Sequence, residues 1–312
     1  MQRQAGRMVV LGTGGTIAGT ASHAGDHTGY KAGQLGVQAL VDAVPALREV
    51  PLEAEQVAQL DSKDMDHATW QALARRAAHH LSREDVCGIV ITHGTDTLEE
   101  TAYFLHRVLA PRKPVVLTAA MRPATALHPD GPQNLLDAVD VARTPGAHGV
   151  VAVVAGLIHG PTEVRKSHTY RLEAFGSGDA GPLGAVEEGR VRLWRPWPEG
   201  DPMGLAVLER DPASWPRVEI VMSHAQADGA LVRALRGLGV AGVVVAATGN
   251  GTVHRDLETA LLEAQAAGVR VLRSTRCLEG VIVGREGDTL PVTPLIPSKA
   301  RVELLLRLLA GR

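Results

Sequence analysis

The stretch Met8-Val9-Val10-Leu11-Gly12-Thr13-Gly14-Gly15-Thr16-Ile17-Ala18-Gly19 decides the fold. A short apolar run meets a glycine-rich turn, and a threonine follows at once. The pattern returns in Gly88-Ile89-Val90-Ile91-Thr92-His93-Gly94-Thr95-Asp96-Thr97-Leu98-Glu99-Glu100. Apolar runs without polar alternation read as strands buried on both faces, as in a parallel sheet covered by helices. In such a sheet the carboxyl ends of the strands converge on the crevice where ligands bind. Two hydroxyls aimed at one crevice, with the Asp96 carboxylate beside the second, point to nucleophilic chemistry.

Outward from these stretches, apolar runs alternate with amphipathic segments, the mark of βαβ units and an α/β fold. Strands are expected at Met8–Leu11, Gln56–Leu60, Gly88–Thr92, Pro114–Thr118 and Gly149–Val154. Helices are expected at Val37–Val44, His67–Ser82, Leu98–Val108 and Gln133–Ala142. Glu99 and Glu100 fall in the first turn of the third helix, where the helix dipole favours acids. Leu183–Trp194 reads as a hairpin turning at Glu188-Gly189. The proline- and glycine-rich run from Arg195 reads as a linker over 195–216, between a larger domain at 1–194 and a smaller one at 217–312. The smaller domain repeats the pattern, with strands at Val218–Met222, Gly242–Ala246 and Val269–Arg273 and helices at Asp228–Leu238 and Leu257–Ala267. Ser298 is placed to cap a last helix.

Composition excludes several classes. The chain has 312 residues, 45% hydrophobic, and a net charge of −2, so nothing favours nucleic acid or an anionic membrane as partner. Aromatic residues make up 3%, too few for a base-stacking platform. Cys87 and Cys277 fit no metal or redox spacing, which points to a reducing compartment. The polar start, Met1 to Gly6, and the short apolar run after it do not read as a secretory signal, so the expected location is cytoplasmic. His79-His80 reads as a solvated pair on a helix, with no spaced partner for a metal, and Cys87 as a small apolar filler preceding a strand.

The glycine turns invite a nucleotide reading, which fails at named positions. Gly12-x-Gly14 begins a dinucleotide fingerprint, but its last glycine would fall at Ile17, and no Gly-Lys-Ser/Thr follows. Ser223-His224 lacks the Gly-x-Ser-x-Gly elbow of a serine hydrolase. Asp96 and Thr97 also suit plain helix capping. Capping needs one such residue, however, and three hydroxyl or carboxylate side chains occur in a row with His93 beside them. A hydroxyl nucleophile needs a base: a lysine deprived of its proton by burial, a phenol or a histidine. Lys166 and Tyr30 are the candidates. Only five of the 32 basic residues are lysine, so the position of Lys166 is not a by-product of abundance.

Taken together, the chain resembles the bacterial-type L-asparaginase and glutaminase–asparaginase family. The likeness runs through Gly14-Gly15-Thr16-Ile17-Ala18-Gly19, Ile91-Thr92-His93-Gly94-Thr95-Asp96-Thr97, Glu99-Glu100-Thr101-Ala102-Tyr103-Phe104 and Ala120-Met121-Arg122-Pro123. It continues through Asp130-Gly131-Pro132, Gly181-Pro182-Leu183-Gly184, Gly249-Asn250-Gly251 and Ser298-Lys299-Ala300-Arg301. The resemblance implies a two-domain asparaginase-like α/β fold and hydrolysis of the side-chain amide of L-asparagine through an acyl-threonine, with no cofactor and no metal. It casts Thr16 as nucleophile, Tyr30 as its partner on a mobile loop, and Thr95, Lys166 and Asp96 as a second hydroxyl–lysine–carboxylate set. Which threonine attacks first stays open. Ser62 would hold the substrate's α-carboxylate and Asp96 its α-ammonium, with Gly15, Lys63, Thr95, Ala120 and Asn250 completing the pocket. Backbone amides near Gly15 and Thr95 would stabilise the oxyanion.

One departure stands out. Lys63 occupies a position where the family usually carries glutamine or an acid, and a cation there would repel the α-ammonium or pair with the α-carboxylate. The family also implies a homo-oligomer, a dimer of dimers, with a neighbouring subunit's second domain contributing Asn250. Glu279 lies in the region of a donated acid without matching its local sequence. The alternatives are a glutaminase-leaning amidase, the amidase subunit of a tRNA-dependent amidotransferase, for which Thr16 lies too near the start, and a non-catalytic amino-acid sensor.

Overall fold

The computed structural model describes residues 6–311; the remainder of the polar start, 1–5, lies outside the described residues. The chain divides into two compact units, at Met1–Leu205 and Ala206–Arg312.

The first unit opens with β1 (Arg7–Gly14), α1 (Val37–Asp42), β2 (Leu52–Leu60), α2 (His67–Ser82), β3 (Val86–Thr92), α3 (Leu98–Leu109), β4 (Val115–Thr118), α4 (Gly131–Ala142) and β5 (Val150–Val154). Four short pieces follow: β6 (Leu157–His159), β7 (Arg165–Lys166), β8 (Phe175–Gly176) and the hairpin β9 (Gly184–Glu187) and β10 (Arg190–Leu193). Eight strands form one sheet in the order β10-β9-β6-β5-β4-β3-β1-β2. The five from β5 to β2 pair in parallel; β6, β9 and β10 are antiparallel. The hairpin turns at Glu188 and Gly189, both at positive φ.

The central strands are apolar throughout because helices cover both faces. Met8, Val10, Val90, Val116, Val151 and Val153 share a core with α1 and α4 through Leu40, Val41, Leu135 and Val139. Alternation turns Val9, Leu11, Ile89 and Ile91, all fully buried, to the opposite face. There α2 and α3 pack together through Trp70 stacked on Phe104 at 4.8 Å, with the indole N–H donating to Thr101 Oγ1 at 2.9 Å.

Register brings the functional turns level. Gly12 pairs with Thr92, and Thr92 with Thr118, so β1, β3 and β4 end side by side. The sheet thus delivers the residues after each strand, Thr16, Ser62, Thr95 and Met121, to one edge.

Two expectations for the first unit need correction. Cys87 lies inside β3 rather than before it, buried with Met8 in the core. His80 is not solvated: it is 1% exposed, with Nε2–H donating to Glu55 of β2 at 2.7 Å and Nδ1 accepting from Arg83 at 3.1 Å. β2 is an edge strand bearing Glu53 and Glu55, and the basic face of α2 folds down on it.

The second unit holds a parallel three-stranded sheet, β11 (Val218–Met222), β12 (Gly242–Ala247) and β13 (Arg270–Thr275), in that order. Helices α5 (Ala230–Gly237) and α6 (Arg255–Ala266) close one core through Val232, Leu235, Leu257 and Leu261 against Val221, Val243 and Val245. Helix α7 (Pro297–Leu309) packs on the three strands and carries the fully buried Lys299. Its cap position is Ile296, not Ser298. Pro297 fills the first helical position, where its missing N–H is no loss and its fixed φ suits the helix, and no side chain caps the start. Among the described residues no helix is long and apolar enough to cross a membrane.

Candidate active site

The site begins with a backbone crossing. Gly15, at φ 80°, lies against Gly94, so a Cβ on Gly15 would overlap Gly94 Cα, and one on Gly94 would overlap Ser62 Oγ. Only glycine lets the turns after β1, β2 and β3 touch here. Thr16 and Thr95, each one residue further on, are thereby brought to neighbouring positions, both 5% exposed.

Thr16 Oγ1 and Tyr30 Oη lie 2.6 Å apart. Tyr30 sits on the loop between β1 and α1, next to a two-way backbone bridge between Thr20 and Lys31. The Asp26 carboxylate tightens that loop by accepting from the Thr28 and Gly29 amides. Burial, with the charges of Asp61 and Asp96 nearby, raises the Tyr30 phenol above its ordinary value, so it stays protonated at neutral pH.

A second constellation stands at the start of α3. Lys166 Nζ donates to Thr95 Oγ1 at 2.8 Å and to Asp96 Oδ1 at 2.6 Å. The charged group in contact with Nζ is therefore a carboxylate. The Lys166 backbone N–H donates to Glu99 Oε2 at 2.7 Å. Neither Asp96 nor Thr97 makes a side-chain capping bond. Thr97 Oγ1 instead donates to Ser62 O at 2.8 Å, and Ser62 Oγ accepts from the Asp96 amide at 3.1 Å. Ser62, 2% exposed, is thus fixed against the α3 turn.

The histidine candidate separates from this chemistry. His93 is wholly buried, and burial pushes it down to about 4. Its Nδ1–H donates to Gly94 O at 2.7 Å, and Nε2 has no hydrogen-bond partner among the described residues. His93 is a neutral brace behind the Gly94 turn.

The structure adds detail at three of the expected residues. Lys63 does not stand as a lone cation: Nζ binds Asp64 at 2.6 Å and Asp61 at 3.3 Å at an exposed position. The Gly15 amide is not available to an oxyanion, because it donates to Leu60 O at 2.8 Å. Asn250 belongs to the second unit, where its side chain exchanges two hydrogen bonds with the Val283 backbone. Ala120 follows β4 and is fully buried. Its turn is held by Asp130, which accepts from the Met121 and Arg122 amides at 2.9 and 3.0 Å. A cavity of about 860 Å³ beside α4 is lined by Asp130 and Asn134 but by none of Thr16, Tyr30, Thr95, Asp96 or Lys166. Asp61, Glu99 and Asp130 were not among the expected site residues. Glu99 and Asp130 both sat in quoted motifs at helix starts, Glu99-Glu100-Thr101-Ala102-Tyr103-Phe104 and Asp130-Gly131-Pro132.

Comparison with known proteins agrees with this geometry. Residues 7–198 match the family model described as asparaginase, N-terminal, and residues 217–312 the glutaminase/asparaginase C-terminal domain. L-asparaginase 2 of Bacillus subtilis is 37% identical over 96% of this chain and 81% of its own length. A glutaminase-asparaginase of Pseudomonas fluorescens is 36% identical over 96% and 86%. Among solved structures, a probable cytoplasmic L-asparaginase from Campylobacter jejuni superposes with a TM-score of 0.91 at 37% identity, covering 97% of this chain and 95% of that one. With both halves matched by the family models and relatives 36–37% identical aligned over 96% of this chain, this chain belongs to the asparaginase family.

Proposed function

We propose that the protein hydrolyses the side-chain amide of L-asparagine to L-aspartate and ammonia, with L-glutamine as a secondary substrate, through an ester on Thr16. The observation that carries this reading is the pair of buried hydroxyls on touching turns, each hydrogen-bonded to a proton-handling group: Thr16 to Tyr30 and Thr95 to Lys166. Relatives named L-asparaginase and glutaminase-asparaginase support the substrate class.

In this mechanism Thr16 Oγ1 attacks the amide carbon. Its proton passes to the phenol oxygen of Tyr30 as that phenol gives its own to the amide nitrogen, the C–N bond of the tetrahedral intermediate breaks, and the nitrogen leaves as ammonia. Because Tyr30 is protonated at rest, it relays a proton rather than removing one as a phenolate. Water then cleaves the ester, with the Thr95–Lys166–Asp96 set moving the proton, and frees aspartate and the Thr16 hydroxyl. With the Gly15 amide engaged, the oxyanion donors are the amides of Thr16 and Thr95. Ser62, whose Oγ accepts from Asp96 N–H, has its own proton to give the α-carboxylate, and the half-exposed Asp96 carboxylate receives the α-ammonium. The chemistry needs no metal or cofactor.

A homo-oligomer fits the second unit. Leu278, Val281 and Val283 are 77%, 57% and 71% exposed, beside the backbone that anchors Asn250. Three exposed apolar side chains within six residues of chain suit an interaction surface, and a second copy that covers them would bring Asn250 to a neighbouring site. The named location of the Campylobacter structure supports a cytoplasmic protein.

Ammonia release from asparagine and glutamine tests the reading. Wild type should release it, and Thr16→Ala should lower kcat by about 10³-fold or more. Acid-quenched turnover should leave an aspartyl adduct on Thr16 by mass spectrometry. Binding without turnover, or an adduct on another residue, overturns it. Lys166→Met should lower kcat by about 10²-fold; a near-normal kcat removes Lys166 from the mechanism.

A further inference from the structure

Lys166 reaches the site from an unusual support. Its strand β7 is two residues long, lies outside the eight-stranded sheet and pairs only with the equally short β8, through Lys166 and Phe175. A two-residue ladder cannot fix a long flexible side chain to the tolerance that proton transfer demands. Beside the backbone bonds of Val164, Ser167 and His168 to Gly160 and Ala174, the anchor that ties this segment to α3 is Glu99. Its carboxylate, on the second residue of α3, accepts the Lys166 backbone N–H at 2.7 Å, across 67 residues of sequence. Thr95 and Asp96, which Lys166 Nζ meets at 2.8 and 2.6 Å, lie directly before the same helix. Main chain and side chain of Lys166 are thus both referenced to one helix start.

We infer that Glu99 is a positioning residue for Lys166, a strut that fixes the height of its backbone above the Thr95–Asp96 turn. This rests on the reading of Lys166 as a proton carrier given above. The competing explanation is that Glu99 serves only the helix dipole, where any first-turn carboxylate is favourable. The two separate by reach and by charge. Aspartate keeps the charge and the helix preference but falls one methylene short of the Lys166 amide. Glutamine loses the charge but keeps the length and a carbonyl oxygen that accepts.

The strut therefore requires Glu99→Asp to lower kcat about tenfold with KM within about twofold. Glu99→Gln should stay within about threefold of wild type. The deciding measurement is a double-mutant cycle: in a Lys166→Met background, Glu99→Asp should cost nothing further, because the group it places is gone. The same loss in that background overturns the inference, as does a wild-type kcat in Glu99→Asp or the reverse order, with glutamine impaired and aspartate normal. Thermal melting of each variant checks that the fold survives both conservative changes. A wild-type enzyme that turns over no amide would remove the proposed function and this inference together. Turnover without coupling removes the inference alone.

Discussion

Lys63 shows how far one residue can be read in isolation. As a bare cation beside Ser62 it should weaken substrate binding, but here two carboxylates, Asp61 and Asp64, bracket its ammonium and raise its affinity for the proton. Exposed pairs of this kind are screened and contribute little. Lys63→Gln is therefore expected to lower KM for asparagine by no more than about threefold; a tenfold fall would show that the cation faces the substrate after all. Gly94 makes the opposite case. A methyl group there meets Ser62 Oγ, and Gly94→Ala is expected to abolish ammonia release while leaving a folded protein. Thr16, Thr95 and Asp96 were legible from the sequence because each occupies a long motif after an apolar strand. The Gly15 amide, lost to Leu60, was not, because that bond depends on how two strands end beside each other in space.

At the scale of elements, the apolar runs marked the central strands because burial on both faces leaves no polar alternation. β6, β7 and β8 escaped, since pieces of two or three residues carry no period. The burial of His80 escaped as well. Its place on α2 suggested a solvated face, and only the acids of β2 explain the contact. Glu55 there receives both the Arg76 guanidinium and His80 Nε2–H, and those bonds hold its carboxyl below the usual range. Glu55→Ala leaves a buried imidazole without an acceptor and is expected to cost about 1–3 kcal/mol of stability with kcat unchanged, measurable by urea unfolding beside ammonia release. A loss of activity at unchanged stability would tie this clamp to the site. The Asp96–Thr97 turn shows the same blindness in reverse. Its residues suit capping by composition, yet their side chains hold Ser62 and Lys166.

For the whole molecule, two of the buried histidines, His93 and His106, set a pH limit. His93 and His106 are both pushed from 6.5 to about 4 by burial. Each binds a proton more readily unfolded than folded, so stability rises with pH between about 4 and 6.5 and is flat above that range with respect to these groups. The shift corresponds to roughly 3 kcal/mol for each residue at the acid end. Melting temperature should fall as pH is lowered through this window, and the fall should be shallower in His93→Asn. An identical slope in that variant would assign the acid sensitivity to carboxylates instead.

The crossing of Gly15 over Gly94 has a hereditary corollary. Because neither turn leaves room for a side chain on the other, the two loops behave as a single unit of descent: neither can drift in shape unless its counterpart drifts with it. Transplanting the first turn alone from a distant relative into this chain should give an inactive chimera, whereas moving both turns at once should restore turnover.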